Sequence, residues 1–213
     1  MYGFSVQINR CPDGVELVTL PAIHGAGIAS SRPELTVFSY RTDRRESDVL
    51  EFVDLENPVV IDFANATDDE RRLGFFDRFG LTVPEPWVVY EQVLQNQMAL
   101  LKWLQIAGGK DRAAAMEAVN DAFAGSRGLN LRPSMRLAGP RSSPQIQLRS
   151  PSLLIYMFLE MATAVALGAR VAACEKCGRV FLTGPLTGRR SHAQYCSDRC
   201  RVAAMRARNR EHA

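Results

Sequence analysis

Apolar and polar side chains alternate through Val15–Leu20 and again through Leu35–Tyr40, with Pro21, Gly25, Gly27 and Pro33 between them, as half-buried strands separated by loops require. A third β-rich run follows in Pro58-Val59-Val60-Ile61-Asp62-Phe63. Thr67-Asp68-Asp69-Glu70 has the form of a capping box, and the helix it opens runs through Phe79 to a stop at Gly80, with Leu73, Phe76 and Phe79 along one side. Pro86 is placed to begin a second helix, because its missing N–H is not needed in a first turn. Trp87, Tyr90, Leu94, Leu101 and Leu104 carry the apolar pattern on to Gly108-Gly109. An Ala-rich third helix is predicted over 110–123. Residues 131–137 and 145–149 pattern as a hairpin across Gly139-Pro140, with Pro133 confining its strand to an edge. Ser150 or Ser152 caps a final apolar helix that runs to about Arg170.

The pattern predicts an α+β chain: a mostly helical body with a small β-sheet over residues 1–170, followed by a distinct module over 171–213. At 213 residues and 46% hydrophobic content, the length suits one domain of about 150 residues and an appendage. The longest apolar stretch, 152–169, contains Glu160 and has charged or cysteine-rich flanks, which fit a buried helix better than a membrane span. The opening MYGFSVQINR has no charged n-region, apolar h-region or cleavage site, so the expectation is a cytoplasmic protein without a membrane partner.

Charge divides the chain more sharply than composition does. Residues 170–213 hold ten Lys/Arg against three Asp/Glu, a balance of +7, leaving sixteen against twenty, or −4, for residues 1–169. A basic tail on a neutral-to-acidic body is the sequence footprint of polyanion binding; a solvated tail that serves solubility is the bland alternative.

Inside that basic tail, Cys174, Cys177, Cys196 and Cys200 are spaced C-x2-C-x18-C-x3-C. Two close thiolate pairs joined by a longer loop are what one tetrahedral zinc ion needs, and four sulfurs leave no open position, so the expected zinc is structural rather than catalytic. Disulfide pairing is the competing reading, and it lacks the support of a secretory route. His192, four residues before Cys196, is weighed as a substitute ligand and set aside because four cysteines fill the site. Cys11 has no near partner and reads as a buried or idle thiol.

Gly178 after the second cysteine allows the tight turn of a zinc knuckle, and Arg179-Val180-Phe181 begins a short strand whose Phe181 shields the metal, with Tyr195 as its aromatic partner across the loop. Cys196 and Cys200 lie one helical turn apart, with Ser197 and Asp198 suited to a helix N-terminus. Projected at about 100° per residue, Cys196, Cys200, Ala203, Ala204 and Ala207 share one sector, facing the metal and the body. Arg199, Arg206 and Arg210 form one flank, and Arg201 and Arg208 the other. Arg189 and Arg190 in the preceding loop add contacts from the side. These seven arginines are the candidate nucleic-acid-binding residues, since a planar guanidinium forks onto phosphate or a guanine edge.

The module resembles the CGNR zinc finger, through Cys174-x-x-Cys177-Gly178-Arg179-x-Phe181 and Tyr195-Cys196-Ser197-x-x-Cys200-Arg201 followed by a basic helix. The body is similar to the ABATE domain, a stress-induced transcription regulator domain in which a strand ending in D-F-x-N leads into a helix; Ile61-Asp62-Phe63-Ala64-Asn65 stands in that place. The resemblance implies DNA binding by the finger and regulation by the body. A knuckle followed by a helix start is a treble-clef-like arrangement, and together these point to a DNA-binding regulator whose N-terminal domain senses a small-molecule ligand or forms a homodimer. The C-x-x-C knuckle with its C-S-x-x-C-R helix is also similar to the zinc finger that inhibits DNA gyrase, which leaves a protein-docking module as the alternative.

Gly25-Ala26-Gly27 and Gly108-Gly109-Lys110 lack the spacing and strand-to-helix context of phosphate loops and read as turns. Asp68, Asp69 and Glu70 read as helix caps rather than metal ligands, and Trp87 and Trp103 as core or subunit contacts. No Ser/His/Asp constellation can be assembled from three histidines, so no catalytic residue is assigned and an enzyme is the third reading.

Overall fold

The computed structural model describes residues 3–20, 34–44, 46–51, 55–83, 85–109, 111, 113–114, 116–117, 120–121, 132–137, 144–150 and 152–211. The loop between the first two predicted strands, the Gly139-Pro140 turn and much of the predicted helix 110–123 lie outside them. The described positions between 113 and 121 are helical. The chain is a mixture of helix and small sheets with a four-cysteine cluster near its C-terminus. It separates into two compact units, one of Met1–Phe52, Ala66–Ala99 and Leu129–Tyr156, the other of Val53–Asn65, Leu100–Gly128 and Met157–Ala213.

The first unit holds two sheets. Strands β1 (Gly3–Arg10), β4 (Glu46–Glu51), β6 (Arg132–Leu137) and β7 (Pro144–Ser150) are ordered β4-β1-β7-β6, with β1 and β7 parallel and the other pairs antiparallel. The β6–β7 pairing is the predicted hairpin, and β6 is an edge strand, the position that tolerates Pro133. β1 and β4 carry no signal the sequence reading used. Strands β2 (Val15–Leu20), β3 (Leu35–Tyr40) and β5 (Trp87–Val89) form the second, antiparallel sheet in the order β2-β3-β5.

β5 corrects the expected start of the second helix. Trp87, Val88 and Val89 pair with Ser39, Phe38 and Val37, and the helix α3 (Tyr90–Gly108) begins only afterwards. Two β-branched residues beside an available strand gain a ladder that a first helical turn lacks. The earlier helix α2 (Asp69–Phe79) is capped by Asp68, one residue after Thr67, whose Oδ1 accepts the Arg71 amide at 2.9 Å. Its buried side chains are Arg72, Phe75 and Phe76 rather than Leu73 and Phe79, and Phe76 packs edge-on to Phe38 at 4.9 Å between centroids. Arg72 is buried at no unmet cost: Asp69, Gln97 and the Thr67 carbonyl take its guanidinium, and Tyr90 donates to the same Asp69 oxygen.

The helix stop at Gly80 has a steric cause. Its φ is +77°, and a Cβ there would lie 2.2 Å from the carbonyl oxygen of Asn9. The Tyr40 hydroxyl donates to that carbonyl and accepts the Leu81 amide at 3.0 Å, pinning the helix end to β1 and β3. Cys11 is buried, with Thr42 Oγ1 3.4 Å from its sulfur.

In the second unit, the run predicted as a third strand is a helix, α1 (Val59–Ala64). Five of its six residues are buried, and its N-terminal amide at Val60 is met at 2.7 Å by the carboxylate of Glu160. That carboxylate, 100 residues away in sequence, supplies a cap that Pro58 cannot, and tertiary burial overrides the β-branched propensity. Glu160 belongs to α4 (Leu153–Ala166), the apolar helix, which is capped by Ser152 as predicted, with the Ile155 amide 3.3 Å from its hydroxyl. Among the described residues no helix is long and apolar enough to cross a membrane. The expected continuation of α4 to Arg170 is replaced by a turn at Gly168, φ +80°, and strand β8 (Arg170–Ala173), antiparallel to β9 (Val180–Thr183). Trp103 of α3 stacks edge-on with Phe158 at 5.2 Å, the packing role expected of it, whereas Trp87 is 44% exposed.

Candidate metal centre

The hairpin β8–β9 and the helix α5 (Asp198–Glu211) hold the four cysteines between them. Cys174, Cys177 and Gly178 form a knuckle: the Gly178 amide donates to the Cys174 carbonyl at 2.8 Å and the Cys174 amide to the Arg179 carbonyl at 2.9 Å. Gly178 sits at φ +72°, which a side chain would disfavour. Cys196 precedes α5 and Cys200 lies in its first turn, where the Ser197 hydroxyl accepts the Cys200 amide at 3.3 Å.

The four sulfurs all lie within 4.8 Å of one another. Three of their separations are 3.6–3.7 Å: Cys196 to Cys200, Cys177 to Cys196, and Cys177 to Cys200. A tetrahedron of sulfurs about 2.3 Å from a central ion has edges of about 3.8 Å, so these spacings fit metal coordination. They are far too long for disulfide bonds of about 2.05 Å. The cluster is therefore one that a metal ion fits.

Electrostatics point the same way. Burial works against ionisation of Cys174, but amides of Cys196, Cys177 and Lys176 directed at its sulfur outweigh it and pull the thiol down to about 6. Cys196 is pushed up to about 12, by burial first and then by the neighbouring sulfurs of Cys200, Cys177 and Cys174. Cys177 is drawn down by the Arg179 amide, yet burial and its contacts with Cys174 and Cys200 leave it raised overall. Neighbouring thiolates disfavour one another's charge, and a cation at their centre removes that conflict.

His192 is exposed and is not among the converging groups. Phe181 is 2% exposed, and the ring contact it makes is with the Arg189 guanidinium, 5.7 Å from its centre. Tyr195 lies in irregular chain, and its hydroxyl accepts a hydrogen bond from Arg208.

The seven arginines divide by environment. Arg189 is half-buried: its Nε donates to the Cys196 carbonyl at 3.2 Å, its Nη1 to the Glu56 carbonyl at 3.4 Å, and its guanidinium lies 5.7 Å from the centre of the Phe181 ring. It braces the second cysteine pair. The other six are exposed; among them Arg201 pairs with Asp198 at 3.1 Å and Arg208 donates to the Tyr195 hydroxyl at 3.0 Å. Cys200, Ala203, Ala204 and Ala207 of α5 are partly covered, consistent with the projected inner sector, and Val202, which lies outside that sector, is partly covered as well.

Sequence reasoning missed Asn65. Its amide nitrogen donates to the carbonyls of Ile61 and Val180, both at 2.9 Å, and its Oδ1 accepts the Val180 amide at 2.9 Å. A side chain thus pairs with β9 as an added strand would, tying α1 to the cysteine hairpin. The signal was the D-F-x-N string, which by itself gave the asparagine no role. The chain matches no protein-family model and no curated protein.

Proposed function

We propose that the cluster holds one structural zinc ion and that the protein is a zinc-dependent nucleic-acid-binding regulator of the CGNR finger kind, binding DNA through α5. The observation that carries this reading is the coincidence of a four-sulfur cluster with the helix that bears Arg199, Arg206 and Arg210 exposed along one flank. Four sulfur ligands favour zinc, and a closed ligand set favours a clamp over a catalyst. Arginines neutralise phosphates and release counterions, so affinity carries a steep salt dependence. In this reading the first unit, with its sheets and buried polar network, senses a ligand or dimerises.

Metal content by plasma mass spectrometry should return one zinc per chain. Fluorescence anisotropy with a duplex should give a log–log salt slope of about −4.5 if five phosphates are neutralised. Arg206→Glu with Arg210→Glu should abolish that binding. Absence of salt-sensitive binding to any duplex removes the proposal.

Docking onto an acidic protein is the second reading, favoured by Met205 on α5, 48% exposed, and Leu186 at a loop tip, 66% exposed and at φ +60°. Apolar groups amid arginines suit a protein surface as well as a groove. Competition between duplex DNA and candidate acidic proteins for the same chain separates the two.

A further inference from the structure

We propose that an open cleft beside the metal centre is a binding site for a nucleoside phosphate. The cleft encloses about 740 Å³ between the loop of residues 187–198, the segment around Glu56 and the first turn of α5, all within the second unit. Its volume is that of pockets which take drug-sized ligands, so an inorganic phosphate alone would leave most of it empty.

The lining is rich in donors for an anion. Arg190 is exposed; its carbonyl accepts the Ala193 amide at 3.0 Å, and its guanidinium makes no hydrogen bond or ion pair among the described residues. Arg189 uses Nε and Nη1 on the carbonyls of Cys196 and Glu56 and keeps Nη2 outside those bonds. Arg201 commits its Nε to Asp198, which also neutralises that carboxylate, so three arginines outweigh the acidic groups of the lining. His192 adds an exposed imidazole at the same wall. A phosphate monoester satisfies such a set through charge-assisted, forked hydrogen bonds.

The rest of the ligand follows from Tyr195. Tyr195 lines the same cleft as Arg189, Arg190 and Arg201, and its hydroxyl accepts from Arg208 at 3.0 Å, which restrains an aromatic side chain there. Bases stack on such rings whatever their identity, so a planar base joined to a phosphate matches the two halves of the lining. Arg199, Arg206 and Arg210, the flank assigned to duplex DNA, do not line the cleft, and the two readings can fail separately. The ligand is either a free mononucleotide or the 5′-phosphorylated end of a single strand.

Isothermal titration of the full metal-loaded chain with adenosine 5′-monophosphate, adenosine, inorganic phosphate and a 5′-phosphorylated trinucleotide tests the assignment. The expected result is one saturable site for the monophosphate or the trinucleotide, at least about tenfold tighter than phosphate or adenosine, the loss that one charge-assisted contact explains. Binding of both probes identifies the free nucleotide as a sufficient ligand, and binding of the trinucleotide alone identifies the strand end. Arg190→Ala with His192→Ala should weaken binding about tenfold at unchanged metal content, Arg190→Lys should restore part of it, and Arg206→Glu with Arg210→Glu should leave it unaltered. The proposal is overturned by failure of both phosphorylated probes to saturate at millimolar concentration. Phosphate binding as tightly as the nucleotide, or equal affinity in the Arg190/His192 double variant, overturns it equally.

Discussion

The carboxamide of Asn65 presents both its donor and its acceptor to the backbone of Val180, 115 residues away, and closes its third bond on Ile61. Asn65→Ala leaves the Val180 amide and carbonyl without these partners, and the expected cost is about 1–3 kcal/mol. Urea denaturation of the metal-loaded chain measures it; Asn65→Asp, which keeps the acceptor and loses the donor, should fall between. Gly80 is a second residue on which local geometry depends. At φ +77° and with a Cβ 2.2 Å from the Asn9 carbonyl oxygen, Gly80→Ala should lower stability by more than about 1 kcal/mol, read as a drop in the thermal midpoint. A midpoint unchanged in either variant contradicts the corresponding contact.

At the scale of elements, α5 is a 14-residue polar helix, a length that is marginal in isolation. Its order depends on the clamp at Cys196 and Cys200. Cys177→Ser should therefore release the metal and reduce ellipticity at 222 nm through loss of α5. The protonation states of the cluster fix the direction of its pH response. A raised pKa means that the protonated thiol is the favoured form in the metal-free fold, so near pH 7.5 Cys196 retains a proton that metal must displace. Cys174, lowered to about 6, is already ionised there and adds a further proton to displace only below that pH. Metal binding at pH 7.5 should release protons, seen as a buffer-dependent enthalpy, and affinity should fall as pH drops, more steeply below about 6. Proton-free binding at pH 7.5 contradicts the assigned states.

Over the whole molecule, the cysteine module shares its compact unit with residues 53–65, bound to it through Asn65 and through Arg189 at the Glu56 carbonyl. Chelation should raise hydrogen exchange in β8, β9 and α5 and also in α1, whereas the ladders joining β1, β4, β6 and β7 should keep their protection. Exchange confined to residues 171–213 would mean that the module stands alone.

The four cysteines, the knuckle glycine, the helix after Cys200 and the hairpin with Pro133 at its edge were all readable in the sequence. Each rests on spacings of a few residues or on strand periodicity, which local geometry enforces. The helical state of 59–64, the strand at 87–89, the bracing role of Arg189 and the pairing of Asn65 were decided only by tertiary structure. In each case the partner lies far along the chain: Glu160 for α1, β3 for β5, Glu56 for Arg189, Val180 for Asn65. Propensity and spacing describe neighbours in sequence. A buried amide satisfied from 100 residues away overrides them, because an unmet hydrogen bond costs more than the preference of a few β-branched residues.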